Sequence, residues 1–398
     1  MRRTLIAVAA LAVLLAGCGG SGTQPGGFTY ENVLTVYSDL PLQGPQGSLM
    51  RSIDDGEILA LEQAHARGED RDVSIALLND AGHGGWTEQT TGDAAREAGQ
   101  DLDAIAYIGD FDSAATAVSL DITNENNILQ VSPASPYAGL TDVSRDPTEP
   151  DRYYPDGRRT FARLAPSSSV EAVAATRLMR SQHVERLYTL DDGERFDGAI
   201  AGTVAADWVA AGGRIAGSSR LGTIAASVAR IAAARPAALF VGAAPSARIA
   251  RLWAAVHARL PSLKLFAPST LATAPFIARI APEAGTTYVT SPILPLSQYP
   301  ASAQAVLRAY RRAFGTAPTA WSLYGYEAMA SVLAAVREAH ASPDRRLVVV
   351  HDYFALGERH SVLGDYRIDV RGDSSLRTFA VYRVGGGGQL LYVRRISG

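Results

Sequence analysis

The chain has 398 residues, of which 47% are hydrophobic and 19% are charged, and its formal net charge is −3. This is the composition of an ordinary globular protein, and the length suggests two lobes or domains rather than one. Because 37 basic residues are interspersed with 40 acidic ones, the charge pattern gives no indication of a nucleic-acid partner. The single cysteine, Cys18, excludes a disulfide or a multi-cysteine metal site within one chain.

The N-terminal segment has the features of an export signal. Two early arginines precede an apolar run at residues 5–15, which is shorter than the roughly 20 residues of a membrane-spanning helix. The sequence Leu-Ala-Gly-Cys that ends at Cys18 resembles a bacterial lipobox. We therefore predict a lipoprotein signal peptide at 1–17, followed by a lipidated cysteine and a flexible glycine-rich tether at 18–27. The alternative is a plain signal peptide with a chance cysteine.

Strand-like and helix-like segments alternate through the first 140 residues. Apolar runs without strict alternation predict strands, and segments with a 3.6-residue apolar period predict helices. The predicted strands are 33–37, 73–78, 104–108 and 128–131, and the predicted helices are 52–67, 87–99 and a segment after residue 113. Strands that are apolar on both sides favour a parallel sheet covered by helices on both faces.

The same pattern restarts after a polar loop at 142–159 and a short extended piece at 160–164. The predicted helices are 168–181, 196–211, 225–234, 246–259, 301–314 and 322–339, and the predicted strands are 186–190, 214–218, 237–241, 263–267 and 286–293. The tail at 362–393 reads as two or three antiparallel strands. Two similar α/β halves in one chain predict two lobes that face a cleft.

Small polar loops follow two neighbouring predicted strands. Asp112 and Ser113 follow the strand at 104–108, and Ser132 and Ser135 follow the next one. Open parallel sheets bind ligands at the carboxyl ends of their strands, so we expect these four side chains to contribute to a binding site. Trp86 lies in a glycine-rich loop at another strand end, where it could stack on a ligand or pack against the lobe surface.

The sequence carries no motif that indicates catalysis. The seven histidines lack the H-x-x-x-H spacing of a metal site, and the chain has no G-x-S-x-G, no Walker A loop and no G-x-G-x-x-G after a strand. The adjacent acids Asp54-Asp55 and Asp191-Asp192 do not share a face of a helix or strand, so we interpret both pairs as solvated surface. We predict that the protein is not an enzyme and binds neither a metal ion nor a cofactor.

Several motifs, in a consistent order from about Val33 to Val393, carry a resemblance to a known family. They are Leu40–Pro45, Gly56, Asp80, Gly109–Thr116, Ser132–Ser135, Gly139–Thr141, Phe196–Gly198 and Trp321–Tyr326. The chain resembles the type I periplasmic-binding fold, in the branch of ABC-transporter solute receptors for branched-chain amino acids and amides. The two polar loops, one strand apart, are the most specific part of this pattern.

The resemblance implies an α/β fold of two Rossmann-like lobes with parallel sheets, joined by three crossovers. Carried onto this chain, lobe 1 comprises 28–160 plus 290–360, and lobe 2 comprises 161–289 plus 361–398. The family clamps its ligand between the lobes, so hinge closure is the expected motion.

The resemblance also implies roles for residues of the first lobe. Family members hold the carboxylate of an amino acid with backbone amides and hydroxyls, and here Ser113, Ser135 and Ser132 occupy those loops. Charge-assisted hydrogen bonds would hold a carboxylate there. Gln43 and Gln46 lie in the first loop, which lines the cleft in the family.

Other matched positions place ligand contacts elsewhere. Phe196 matches an aromatic that closes on the ligand from the second lobe, and Tyr324 matches an aromatic at the start of a cleft-lining helix. Ser269 stands where amino-acid-binding members have an acid for the α-ammonium group. Without that acid a buried ammonium is poorly compensated, although Asp112 or Asp191-Asp192 could substitute.

The function that the resemblance implies is that of an extracytoplasmic receptor, anchored by lipid to the outer face of the cytoplasmic membrane. It would act as a monomer and deliver a small polar ligand (an amino acid, an amide or a small carboxylate) to ABC permease subunits. The alternative is a ligand-sensing or envelope-assembly lipoprotein on the same fold, without a link to transport.

Overall fold

The computed structural model describes residues 33–70, 72–82, 85–144, 146–337 and 345–398. The predicted signal peptide, Cys18 and the tether lie outside these residues, as does part of the glycine-rich loop before Trp86. The described chain is an α/β protein, as predicted. None of its described helices is long and apolar enough to cross a membrane.

The first sheet has five parallel strands in the order β2-β1-β5-β6-β7. The strands are β1 (Leu34–Asp39), β2 (Val73–Leu78), β5 (Ala104–Ile108), β6 (Leu129–Ser132) and β7 (Phe161–Arg163). Every residue of β5 and β6 is buried, whereas the edge strand β2 is mostly half-exposed. This burial explains why the central strands read as continuous apolar runs.

The second sheet has seven strands in the order β16-β15-β12-β11-β10-β8-β9. Its parallel strands are β8 (Arg186–Asp191), β9 (Arg214–Arg220), β10 (Ala238–Gly242), β11 (Lys264–Ala267) and β12 (Thr287–Ser291). The tail adds β15 (Thr378–Val384) and β16 (Leu390–Ser397), which pair antiparallel at the edge next to β12. Small hairpins β3–β4 (Ala81–Gly82 and Gly85–Trp86) and β13–β14 (Arg359–Ser361 and Gly364–Tyr366) complete the strands named here.

The helices follow the strands in chain order. They are α1 (Gly47–Ala66), α2 (Glu88–Gln100), α3 (Ser113–Glu125), α4 (Ser168–Ser181), α5 (Ile200–Ala210), α6 (Ile224–Ala234), α7 (Ala247–Arg259), α8 (Ala274–Ile280), α9 (Ala301–Phe314), α10 (Trp321–Val336) and α11 (Arg345–Ala355). After β12 the chain returns to the first sheet, where α10 packs on α1 and α11 packs on β5, and it then re-enters the second sheet as β15. The chain therefore passes three times between the two sheets.

Helix α11 is the longest element that is missing from the predicted set. Its sequence contains three successive valines at 348–350, and β-branched runs are typical of strands. The helix forms because Val349, Val350 and Tyr353 bury one face against α10 and the first sheet. This is a tertiary effect that overrides the local preference of the valines.

Helices α1 and α10 approach each other closely at two glycines. A Cβ atom on Gly56 would lie 2.1 Å from the carbonyl oxygen of Ser322, and one on Gly325 would lie 2.2 Å from that of Ile53. Both distances are far below contact distance, so each helix uses a glycine to admit the backbone of the other. This packing fixes α10, whose first residue is Trp321, against α1.

We expect Gly325→Ala to lower the free energy of unfolding by about 1–3 kcal/mol, because the two backbones must separate. The loss should appear in urea denaturation despite the higher helix propensity of alanine. Gly92→Ala in α2 is the matched control, since its Cβ would meet only the flexible Arg96 guanidinium, at 3.4 Å. That control should be neutral or stabilising by up to about 1 kcal/mol. Equal stabilities of the two variants would contradict the close-packing account.

Candidate ligand-binding cleft

A cavity of about 600 Å³ lies where strand ends of the two sheets meet. Its wall includes Asp112 and Ala134, which follow β5 and β6 of the first sheet. It also includes Pro245, Ser269 and Ser291, which follow or end β10, β11 and β12 of the second sheet. The volume suits a small organic molecule, and the position is where open α/β sheets bind ligands.

Four of the predicted binding residues line this cavity. They are Gln46 before α1, Asp112 and Ser113 at the start of α3, and Ser269 after β11. Asp112 is the N-cap of α3, and its carboxylate accepts a hydrogen bond from the amide of Ala114 at 2.8 Å. The structure thus brings together side chains that are up to 223 positions apart, Gln46 and Ser269.

The two other predicted serines, Ser132 and Ser135, do not line the cavity. Both are fully buried, and their hydroxyls donate to the carbonyl oxygen of Asp110, over 2.6 and 2.9 Å. The Ser135 hydroxyl also lies 2.6 Å from that of Thr116. These hydroxyls hold the two polar loops together beneath the cavity wall.

The remaining predicted contacts also lie outside the cavity wall. Gln43 is exposed. Phe196 packs edge-on against Tyr137, with ring centroids 5.1 Å apart. Tyr324 is buried, donates to the carbonyl oxygen of Pro292 at 3.3 Å and lines a separate cavity of about 360 Å³. The larger cavity takes wall residues from the loops after several strands of each sheet, so we treat it as the candidate site.

The cavity residues that were not among the predicted contacts include Phe111, Asp197 and Trp321. The rings of Phe111 and Trp321 pack edge to face with centroids 4.8 Å apart. All three stand in the motifs that carry the family resemblance, within three residues of positions that were selected. Trp86 is not part of the wall, and its indole lies beside the Asp112 carboxylate.

Ser269 is hydrogen-bonded to a buried acidic residue, Glu171. Its amide and its hydroxyl each donate to the Glu171 carboxylate at 2.6 Å, and Thr290 donates to the same group at 2.7 Å. Glu171 is buried, and this burial raises its pKa to about 7. Because the Ser269 hydroxyl already has this partner, the residue is oriented before any ligand arrives.

The loop after β8 is tied to the polar loop at 142–159. The Arg195 guanidinium contacts the Glu149 carboxylate at 2.7 Å and that of Asp146 at 2.5 Å. Glu149 is buried and also accepts hydrogen bonds from Tyr137 and Tyr153, at 2.7 and 2.6 Å. Together with the Phe196–Tyr137 contact, these bonds connect the two halves of the chain beside the cavity.

Three buried carboxyl groups cluster at the ends of β1, β2 and β5. Asp39, Asp80 and Asp110 are fully buried, and one oxygen of each lies within 4.8 Å of the others. Burial and the charge of Asp80 raise the pKa of Asp39 to about 8, and burial raises that of Asp80 to about 6. Burial and the two neighbouring carboxyls also raise the pKa of Asp110 well above its usual value.

Either a proton or a bound cation would reduce the repulsion among these three carboxyl groups. Oδ1 of Asp39 and Oδ1 of Asp80 have no hydrogen-bond partner in the described part of the chain, and protonation of one carboxyl group would remove part of the repulsion. The spacing of the three oxygens is also one that a hard cation could use. Tyr107 donates to Asp39 at 2.7 Å, which stabilises the charged form only in part.

The interpretation of Asp54 as solvated surface is wrong. Asp54 is buried and accepts a hydrogen bond from Ser38 at 3.1 Å. Burial raises its pKa to about 7, and burial with the Asp54 charge raises the pKa of Glu57 well above its usual value. The sequence argument failed because α1 is buried on a wider face than its apolar residues suggest. Asp191 and Asp192 are half-exposed.

A profile of a periplasmic binding protein family matches residues 40–352 of this sequence, which is most of the chain. The chain belongs to this periplasmic binding protein family. The match runs from the first polar loop to the middle of α11 and so includes most of the cavity wall.

Solved structures with the same fold extend over nearly the whole chain. The leucine-binding protein LivK of Thermotoga maritima is 20% identical, covers 92% of this chain and 99% of its own, and has a TM-score of 0.74. An ABC-transporter substrate-binding protein of Desulfitobacterium hafniense, in complex with leucine, is 18% identical, with coverage of 90% and 99% and a TM-score of 0.73. A solute-binding protein from R. palustris, in complex with benzoate, is 16% identical, with coverage of 91% and 96% and a TM-score of 0.68.

This periplasmic binding protein has the fold that the sequence motifs indicated, and its family and structural neighbours are solute-binding proteins rather than enzymes. Family membership implies a location outside the cytoplasm. No curated protein matches the sequence. At these identities the structural neighbours establish the fold, and the cavity of this chain must be interpreted from its own residues.

Proposed function

We propose that this protein is an extracytoplasmic receptor that binds a small organic solute in the 600 Å³ cavity and delivers it to the permease of an ABC importer. The observation that carries the proposal is the composition of the cavity wall, which takes residues from strand ends of both sheets. A ligand in that position contacts both halves of the chain, so its binding energy can favour a closed arrangement. The leucine- and benzoate-bound relatives support a solute of similar size.

Hinge closure is the motion we infer for delivery. The proposed moving bodies are the two predicted lobes with their bounds moved to fit the sheets: β7 (Phe161–Arg163) stays with lobe 1, and β12 (Thr287–Ser291) stays with lobe 2. The first sheet extends to Arg163 and the chain passes three times between the sheets, so the hinge would consist of three short connections. Such closure moves few backbone angles and leaves both sheets intact.

We propose that Gln46, Asp112, Ser113 and Ser269 contact the solute, because all four line the cavity. Ser132, Ser135, Phe196 and Tyr324 instead have partners within the protein, and Gln43 is exposed. We further propose that Cys18 carries the lipid that holds the receptor at the outer face of the membrane. Mass spectrometry of the mature N-terminus would test that anchor.

A thermal-shift screen of the mature protein tests solute binding. The compounds should include amino acids, amides, small carboxylates, urea and organic amines. We expect at least one to raise the melting temperature, since a ligand at about 100 times its Kd adds about 2.7 kcal/mol of stability. Thr273→Trp, which fills the cavity, should abolish the shift, whereas Thr203→Trp, outside both cavities, should retain it.

The outcomes separate binding from transport. If no compound shifts the melting temperature, the receptor proposal fails. If a solute binds but its uptake by cells is unchanged when the gene is deleted, the proposal of delivery to an importer is wrong. That result would favour the ligand-sensing role instead. Loss of uptake, restored by the wild-type gene and not by the Thr273→Trp variant, would establish delivery.

A further inference from the structure

The cavity wall is acidic and contains no cationic side chain. Among the described residues that line it are two aspartates, Asp112 and Asp197, and no arginine, lysine or histidine. The other polar groups of the wall are hydroxyls and one amide side chain, that of Gln46. A ligand carboxylate in this cavity would therefore meet two carboxyl groups and no cationic side chain.

Several of the groups that could hold a ligand carboxylate are already in use. The N-terminus of α3 is a natural anion site, but the Asp112 carboxylate occupies it through its hydrogen bond from Ala114 at 2.8 Å. The Ser269 hydroxyl already donates to the Glu171 carboxylate at 2.6 Å, and the buried Ser135 hydroxyl donates to the carbonyl oxygen of Asp110 at 2.9 Å. In effect the protein supplies its own carboxylate at the position where an anionic ligand would otherwise bind.

The second aspartate of the cavity has no compensating partner. No side chain or amide in the described part of the chain makes a hydrogen bond or ion pair with the Asp197 carboxylate. Burial, followed by the charges of Asp112, Asp192 and Glu194, raises its pKa well above the usual range. A cation between Asp112 and Asp197 would remove this electrostatic penalty, because an opposite charge within a few ångströms stabilises the ionised form of both.

The rest of the wall suits an apolar group. Phe111 and Trp321 present an edge-to-face aromatic pair to the cavity, and Leu49 and Ile293 extend that surface. Aromatic faces also attract organic cations. The ligand that matches this wall has a cationic head and an apolar body.

We propose that the cavity binds a primary organic amine that lacks a carboxylate, with its ammonium group between Asp112 and Asp197 and its apolar part against Phe111 and Trp321. This inference rests on the proposed solute-binding function. It excludes the amino-acid and carboxylate members of the solute classes that the sequence motifs suggested, because each of these would place an anion beside Asp112.

Calorimetric titration with matched compounds tests the proposal. The aliphatic set is 3-methylbutylamine, leucine and 4-methylpentanoate, and the aromatic set is 2-phenylethylamine, phenylalanine and 3-phenylpropanoate. Each set keeps one apolar body and varies only the charged groups. We expect the amine of at least one set to bind about tenfold or more tightly than its amino acid, and the acid not to bind.

Two charge-removing variants provide the control. Asp197→Asn should weaken binding of the amine by about 10- to 100-fold, the loss expected for a buried charge-assisted contact. Glu194→Gln also removes one negative charge, but Glu194 lies three residues before Asp197 and its exposed side chain is outside the cavity. This variant should leave the affinity nearly unchanged. Circular dichroism confirms that both variants are folded.

The results distinguish this inference from the function on which it rests. Binding of leucine, phenylalanine or either acid in preference to the amines overturns the amine assignment and leaves the receptor function in place. Equal effects of Asp197→Asn and Glu194→Gln also overturn it. Failure of every compound in this series and in the thermal-shift screen refutes both proposals.

Discussion

Replacing Arg163 by methionine is expected to lower the free energy of unfolding by about 3–5 kcal/mol, the cost of removing one partner from a buried charged network. Arg163 is fully buried, and its Nε donates to Asp373 at 2.6 Å. Its Nη1 donates to the carbonyl oxygens of Ser135 and Tyr137 at 2.7 and 2.6 Å, and its Nη2 donates to the Thr141 hydroxyl. Methionine fills a similar volume but offers no donor, so two buried carbonyl oxygens would lose this partner.

The same arginine supports the cavity wall. The segment that it holds contains Pro136 and adjoins Ala134, both of which line the cavity. Arg163→Met should therefore also weaken solute binding, without any contact between Arg163 and the solute. Arg163→Lys should lose less stability, because an ammonium replaces part of the donor set but not the planar fork of the guanidinium.

Urea denaturation of matched variants measures the effect. Arg371→Met is the control, because Arg371 pairs with Asp142 at 2.7 Å on the surface, with both side chains about half-exposed. Removing that pair should cost no more than about 1 kcal/mol. If Arg163→Met is no more destabilising than Arg371→Met, the buried guanidinium does not organise this loop.

The second large effect is expected in the pH dependence of stability, through the buried carboxyl groups of the first lobe. A carboxyl whose pKa is raised on folding binds more protons in the folded state than in the unfolded state between the two pKa values. The free energy of unfolding then falls as pH increases, by up to about 1.4 kcal/mol per pH unit for each extra proton. With the folded pKa of Asp80 near 6, of Asp54 near 7 and of Asp39 near 8, stability should be highest near pH 4 and decline toward pH 8.

Asp39→Asn should reduce this decline. The amide cannot ionise, can keep the hydrogen bond from Tyr107 through its oxygen and can offer an N–H group to Oδ1 of Asp80, which has no partner in the described structure. We expect the variant to be about 1–3 kcal/mol more stable than wild type at pH 8, with little difference near pH 4. Asp54 and Glu171 retain their raised pKa values, so part of the decline should remain.

Thermal unfolding from pH 4 to pH 8.5 in the presence of EDTA measures the proton contribution, and a parallel series with Ca²⁺ measures any effect of a cation on the cluster. Asp121→Asn is the control, because it removes an exposed carboxylate of α3. If, in EDTA, the stability of Asp39→Asn falls with pH as steeply as that of wild type, protonation of this cluster does not explain the pH dependence. Stabilisation of wild type, but not of Asp39→Asn, by Ca²⁺ would indicate that a cation rather than a proton balances the cluster.

Much of the fold could be predicted from local patterns. The predicted helices at 168–181 and 301–314 have the same bounds in the structure, as do the strands at 73–78 and 104–108. In both helices and in the strand at 104–108 the residue pattern and the burial agree, so the short-range signal suffices. Helix α11 could not be predicted from local patterns, because its valines favour a strand and only its packing on α10 and β5 selects a helix.

The position of the candidate site could be predicted from the sequence, but the set of side chains that line it could be predicted only in part. Asp112, Ser113 and Ser269 follow strand ends and line the cavity, as the position of these loops suggests. Ser135 and Asp197 occupy equivalent loops, yet one is buried under the wall and the other belongs to it. Nothing in the residue types distinguishes these two outcomes.

The sequence by itself determined most of the order of strands and helices, the location of the polar loops at strand ends and the family to which the chain belongs. These depend on periodicity and short motifs, which are local properties. Only the tertiary structure decided that Asp112 caps α3 within the cavity, that Ser132 and Ser135 bond to Asp110, and that three carboxyl groups from β1, β2 and β5 meet away from water. The reason is physical, because the partner of a polar group depends on which distant segments pack beside it, and that packing is set by the whole chain.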